Sequence, residues 1–140
     1  MLHAAIDLGG SSGRVTVGEL VNEKIVLTEL HRFKHEPIQS NDGLFWDWQF
    51  ILDQIKIGLN KACEMGQVET LGVDSWAVDY GLLDAKGELL APPHCYRDGR
   101  TDGVMAKLKT ELGVDYIYNK TGIQFIFFNT MYQLFVEKNS

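Results

Sequence analysis

The sequence predicts an α/β fold that opens as an antiparallel meander. Three observations predict it. Three segments near the start, Leu2–Leu8, Arg14–Leu20 and Ile25–Phe33, carry strand patterning and are separated by turn chemistry. Two later segments, Trp48–Met65 and Asp102–Leu112, repeat apolar residues at helical spacing and each meets a glycine at its end. Between them lies an apolar run, Val68–Asp74, of strand length.

In chain order, Leu2–Leu8 is the first strand. The second alternates Val15 and Val17 against Arg14 and Thr16. Val21-Asn22-Glu23-Lys24 turns the chain into a third strand rich in β-branched and aromatic residues. His31, Arg32, Lys34 and His35 form a mildly basic strand end and read as solvated edge groups, because their spacing matches no metal site. Residues 37–45 read as a loop with Asn41-Asp42-Gly43 as its turn. Asp47 is a candidate N-cap for the first helix. That helix places Ile51, Leu52, Ile55, Leu59 and Ala62 on one face, and Gly66 ends it. Trp46 and Trp48 suit either sugar stacking or aromatic packing around the helix start.

Past the strand at Val68–Asp74, residues 80–91 read as a hairpin, opened by Asp84 and closed by Gly87 in the left-handed conformation. Thr101 is a candidate N-cap for the second helix, whose apolar face is Val104, Met105, Leu108 and Leu112. Asp115–Lys120 is a short segment ending at Gly122. Ile123–Phe128 fits a strand or a buried loop. Asn129 or Thr130 would cap a last helix holding Met131, Leu134 and Phe135. That pattern breaks off without a cap, so the sequence is expected to continue in a longer chain.

The 140 residues, 45% hydrophobic and 11% aromatic, suffice for one domain with a core. A net charge of −6 argues against a nucleic-acid surface. No apolar run approaches the ~18 residues that suggest a membrane span. The first residues lack the basic and apolar regions of a secretory signal, so a cytoplasmic location is expected. Cys63 and Cys95 lie far apart in no metal spacing and read as reduced thiols.

Two segments carry chemistry. The first is Asp7-Leu8-Gly9-Gly10-Ser11-Ser12-Gly13-Arg14. Glycines let the backbone of such a turn come close to a ligand, and successive amides form a concave donor site for phosphate oxygens. Ser11 and Ser12 add hydroxyls, and Arg14 adds a fixed charge. Asp7 suits a hydrated Mg²⁺. Taken alone, the segment reads more readily as an ordinary glycine-serine hairpin. There is no Gly-Lys-Ser/Thr opening a helix, and the segment after Gly13 has strand periodicity, which excludes Walker and dinucleotide loops. The second segment is Asp74-Ser75-Trp76-Ala77-Val78-Asp79. Its carboxylates and indole suit a sugar's hydroxyls and apolar ring face, and equally suit turn formers around a core tryptophan. Arg97, Asp98 and Arg100 read either as an ion-paired loop or as ligand contacts.

Together these segments resemble the amino-terminal domain of the FGGY carbohydrate kinases. The carrying residues are Ala5–Val15, Leu59–Glu64, Gly72–Asp79, Tyr96–Thr101 and Thr121–Phe125 with Phe128–Thr130. The resemblance covers essentially the whole chain, although the first segment is shared broadly by actin-like ATPases. It implies a ribonuclease-H-like domain with a mixed sheet flanked by helices. It also implies ATP- and Mg²⁺-dependent transfer of the γ-phosphoryl to the 1-hydroxyl of a ketose, L-rhamnulose or a similar sugar. By the same resemblance, Gly10, Ser11, Ser12, Gly13 and Arg14 contact the ATP phosphates and Asp7 holds the metal through water. Asp74, Trp76, Ala77 and Asp79 face the sugar, with Ala77 in direct contact, and Arg97 and Asp98 lie on the sugar side. Gly10 stands where the matching subgroup carries alanine, and Ala77 where it carries glycine; one more methyl at 77 would narrow a sugar pocket. The family's catalytic base and adenine pocket belong to a second half outside these residues. The resemblance therefore implies a carboxy-terminal domain as partner and a chain that is silent alone. The competing reading is a nucleotide-binding domain of the actin or heat-shock ATPase type, without sugar chemistry.

Overall fold

A computed structural model describes residues 1–139 as two units. The first unit holds Met1–Pro37 and Asp47–Ala77. Its strands β1 (Leu2–Leu8), β2 (Ser12–Val21), β3 (Lys24–Lys34) and β6 (Val68–Ser75) form a mixed sheet in the order β3-β2-β1-β6. The pairs β1–β2 and β2–β3 are antiparallel, and β1–β6 is parallel. The predicted meander is therefore present. Its second turn has Asn22 and Glu23 both at positive φ, 51° and 63°, the form whose twist matches the flanking strands.

Helix α1 (Trp48–Met65) has the predicted limits. The Asp47 carboxylate accepts from the Phe50 amide at 3.0 Å and supplies the cap. The helix lies on β2 and β3 and less on β1. Ala4, Ile6 and Leu8 of β1 and Val15 and Val17 of β2 are buried on that side of the sheet. Gly58 completes the fit: a Cβ there would stand 2.4 Å from Val15 Cγ2. The apolar spacing picks out Ile51 and Ala62, which are buried, but gives Gly58 no role.

The second unit holds Ile38–Trp46 and the described chain from Val78 onward. The loop expected at 37–45 is instead a hairpin, β4 (Pro37–Ser40) with β5 (Gly43–Trp46), turning at Asn41-Asp42. Contacts distant in sequence stabilise β5: the Trp46 amide donates to Pro93 O at 2.9 Å and the Cys95 amide to Leu44 O at 2.8 Å. The hairpin predicted at 80–91 forms as one bridge, Leu83 with Leu89, over a turn in which Asp84 Oδ1 accepts from the Lys86 and Glu88 amides.

The second helix starts later than predicted. Asp98, not Thr101, caps a single 3₁₀ turn at Gly99–Thr101, and Gly103 at φ 77° separates that turn from α2 (Val104–Leu112). The short segment is α3 (Val114–Thr121), closed by Gly122 at φ 63°. Residues 123–128 form a loop. Helix α4 (Thr130–Lys138) begins where expected, but neither Asn129 nor Thr130 caps it with a side chain. Both side chains bond elsewhere, Asn129 Nδ2 to Gln124 O and Thr130 Oγ1 to Val78 O. Leu108, Ile117 and Tyr132 are the buried core of these helices, with Val104, Met105, Phe125, Met131 and Phe135 packed against them. The expected α4 face misplaces Leu134, which is 46% exposed, while Tyr132 and Gln133 are buried.

Candidate functional site

In the first unit the chemistry gathers at one end of the sheet. The parallel register sets Asp7 beside Asp74 and Leu8 beside Ser75, so β1 and β6 deliver two aspartates to their shared carboxyl end. Outside such strand ends, loops and freed amides are available to a ligand. Leu8 O accepts from the Trp76 amide at 3.0 Å, which starts the 76–77 segment directly beside the glycine turn. That turn closes with the Gly9 amide on Ser12 O at 2.9 Å. Gly13 is fixed as glycine by packing, because a Cβ would lie 2.3 Å from Phe33 Cζ.

Arg14 and Asp7 are register partners, and the guanidinium holds Asp7 Oδ2 through Nε at 2.7 Å and Nη2 at 2.6 Å. The two side chains remain 46% and 41% exposed, so both groups stay open to solvent or ligand.

Periodicity gives no warning of His35. It is no solvated edge group: the residue is 3% exposed, continuing the inward alternation of Phe33. Its amide donates to Ser11 O at 3.1 Å, and its ring Nε2 donates to Gly9 O at 2.9 Å. The ring also lies 5.3 Å from that of Trp76. One histidine thus ties down the glycine turn and meets the tryptophan segment. His31, from the same run, is half-buried and pairs with Gln54 at 2.8 Å.

In the second unit Asp79 is a hub. Its Oδ2 accepts from Trp46 Nε1 at 2.6 Å and the Tyr96 amide at 3.2 Å, and its Oδ1 from Gln133 Nε2 at 3.2 Å. Trp46 is 2% exposed, so the packing reading holds for that indole. An aromatic series continues from Trp46 to Tyr96 at 6.3 Å and from Tyr96 to Phe128 at 5.3 Å. Arg97 lies 5.3 Å over the Tyr96 ring and donates to its hydroxyl at 3.2 Å. Asp98 joins two loops: its Oδ1 accepts from the Arg100 amide at 2.7 Å and its Oδ2 from the Leu44 amide at 2.6 Å. Arg100 reaches α4, at 2.8 Å to Glu137 and 2.9 Å to Gln133.

Burial, followed by the nearby Arg100 charge, holds the His94 pKa below its usual value. Burial pushes the Cys95 thiol up, which keeps it protonated and unreactive. Burial also raises Tyr80, which donates to Glu137 at 3.3 Å.

Of the residues singled out in the sequence, Asp7, Gly10, Ser11, Ser12, Gly13, Arg14, Asp74, Trp76 and Ala77 lie in the first unit. Asp79, Arg97 and Asp98 lie in the second. Among the described residues no cluster of three or more His, Cys, Asp or Glu could hold a metal by itself.

An antiparallel meander paired in parallel with a strand that carries Asp74 near its end, with a glycine-serine turn alongside, has the fold of the actin-like class. Comparison with known proteins makes the assignment more particular. Residues 2–137 match the family described as "FGGY family of carbohydrate kinases, N-terminal domain", and the chain belongs to it. A rhamnulokinase of Mannheimia succiniciproducens is 49% identical over 134 residues, covering 94% of this chain and 28% of that relative. One of Bacillus subtilis is 49% identical over 138 residues, covering 98% of this chain and 28% of the relative. The chain thus spans under a third of these relatives. A gluconate kinase of Lactobacillus acidophilus shares the fold with TM-score 0.80 at 20% identity, over 100% of this chain and 29% of that one. A xylulose kinase of the same organism does so with TM-score 0.82 at 19% identity, over 99% and 28%.

Proposed function

We propose that the chain is the amino-terminal part of a cytoplasmic ATP-dependent sugar kinase that phosphorylates the 1-hydroxyl of L-rhamnulose or a closely similar ketose. The observation that carries this reading is the register of Asp7 with Asp74 beside the glycine-serine turn. It supplies anion donors and hard oxygen ligands at one strand end. The sugar is suggested by the rhamnulokinase relatives at 46–49% identity.

In this reading Gly10, Ser11, Ser12 and Gly13 grip the ATP phosphates through amides and hydroxyls, and Arg14 adds charge. Asp7 has the donor chemistry that Mg²⁺ favours, one carboxylate with the remaining positions left to water and phosphate. Mg²⁺ held there would neutralise charge on the transferring phosphoryl group. Asp74, Trp76 and Ala77 face the sugar, with Arg97 on the sugar side. Asp79 and Asp98 contribute by positioning Trp46, Tyr96 and the 44 and 100 amides, which their carboxylates hold. The proton acceptor for the sugar hydroxyl and the adenine pocket belong to a carboxy-terminal domain, in keeping with the length of the relatives.

The test is ADP release by a full-length kinase carrying this domain, run over a panel of ketoses, with the product's phosphorylation site read by ³¹P and ¹³C NMR. Turnover that requires L-rhamnulose or a near analogue, with phosphate on O1, supports the reading. Nucleotide hydrolysis indifferent to every sugar would instead support a motor- or chaperone-type ATPase.

A further inference from the structure

Val78 sits between Ala77 and Asp79 with φ 75°. A β-branched residue in the left-handed region is a true outlier, because its Cβ crowds the backbone there. Such a conformation persists only where its surroundings over-determine it. Here α4 does so. Val78 O accepts from Thr130 Oγ1 at 2.7 Å and from Gln133 Nε2 at 3.3 Å. The same Gln133 nitrogen reaches Asp79 Oδ1 at 3.2 Å and Phe128 O at 3.0 Å. Gln133 is 2% exposed, so these bonds form where water does not compete.

The direction of the Gln133 amide is fixed by chemistry. Arg100 Nη2 lies 2.9 Å from Gln133 Oε1, and a guanidinium only donates. The amide oxygen must therefore face Arg100, and the nitrogen must face the Val78 and Phe128 carbonyls. Glu137, at 2.8 Å from Arg100 Nη1, holds that arginine in place. Neither Thr130 nor Gln133 caps α4 or forms part of its apolar face, so helix formation gives no reason for them.

We propose that Gln133 and Thr130 are positioning residues for the 77–79 turn. They hold Val78 in a conformation it would otherwise leave, and so fix the backbone that follows Ala77, the residue proposed to touch the sugar. The proposal rests on the sugar-kinase reading for its effect on the substrate, but not for the backbone support itself. Loss of either residue should loosen sugar binding, with little change in the KM for ATP.

The dependence on residue 78 provides the test. Glycine takes positive φ without a Cβ clash, so a Val78→Gly background should need the α4 bonds less. Four proteins are compared in a full-length kinase carrying this domain: the parent, Gln133→Leu, Val78→Gly and the double variant. Gln133→Leu should raise the sugar KM about tenfold, the scale of a buried polar partner left unsatisfied, with the KM for ATP unchanged. The increment should shrink several-fold when Gly is at 78. Thr130→Val repeats the test should Gln133→Leu fail to fold. Unfolding midpoints of the same four proteins give a cycle that does not require catalysis, and they should show the same coupling sign. An equal Gln133→Leu effect in both backgrounds, in KM and in unfolding, overturns the proposal. A parent that phosphorylates no sugar overturns the sugar-kinase reading instead, and the unfolding cycle then still decides whether α4 supports residue 78.

Discussion

Arg14 clasps a single oxygen of Asp7 with two of its N–H groups, across the register of the first two strands. The pair is half-exposed, and exposed ion pairs contribute little to folding, about 0–1 kcal/mol. Because the pair contributes so little to folding, its proposed role at the phosphate site can be tested apart from stability.

In a full-length kinase carrying this domain, Asp7→Asn should leave the unfolding midpoint nearly unchanged while lowering sugar-dependent ATP turnover by about a hundredfold or more. Thermal melts and steady-state kinetics on the same preparation check this. Near-native turnover would remove Asp7 from the phosphate site.

His35→Ala should loosen the glycine turn, because Gly9 O loses its buried partner. One such bond corresponds to about a fivefold rise in the KM for ATP. Titrating ATP at saturating sugar, in a full-length kinase carrying this domain, measures it, and an effect confined to the sugar KM would contradict the assignment.

Gly58→Ala should destabilise the domain by about 1–3 kcal/mol, the range for overpacking. Alanine is the better helix former by about 1 kcal/mol. The added methyl, however, would stand 2.4 Å from Val15 Cγ2. Urea unfolding decides the sign, and a more stable variant would mean α1 and β2 separate without cost.

His94 gives a pH dependence. Its folded pKa is depressed, so between that value and the usual ~6.5 the unfolded chain binds more protons. Stability should fall as pH drops below about 6.5, and the loss should continue until the folded imidazole also titrates. His94→Gln should flatten that slope in denaturation series run from about pH 7 to about pH 5.5. Parallel curves for the two proteins would refute it.

Local signals locate much of this architecture. β1 and α1 run between the limits their patterning gives, and Asp47 caps where an aspartate before an apolar period should. The glycine turn and the strand ending in Asp74 are legible for the same reason, since both are written in consecutive residues. The misses share another cause. β5 forms because Trp46 and Leu44 bond to a segment about fifty residues later, which no window of neighbours contains. His35 and Gln133 are polar residues buried by partners distant in sequence, and periodicity assigns polar groups to solvent. Gly58 escapes notice because a missing side chain leaves no apolar mark.

Strand β6 lies at the margin of its sheet, and among the described residues no other strand pairs with its outer side. Leu71 and Val73, in register with the buried Ala4 and Ile6, are nevertheless 53% and 64% exposed. A greasy ribbon with open main-chain valences adheres to its own kind. Anyone purifying the domain by itself should expect concentration-dependent clumping along that seam, and Leu71→Lys would be the simplest way to keep the preparation clear.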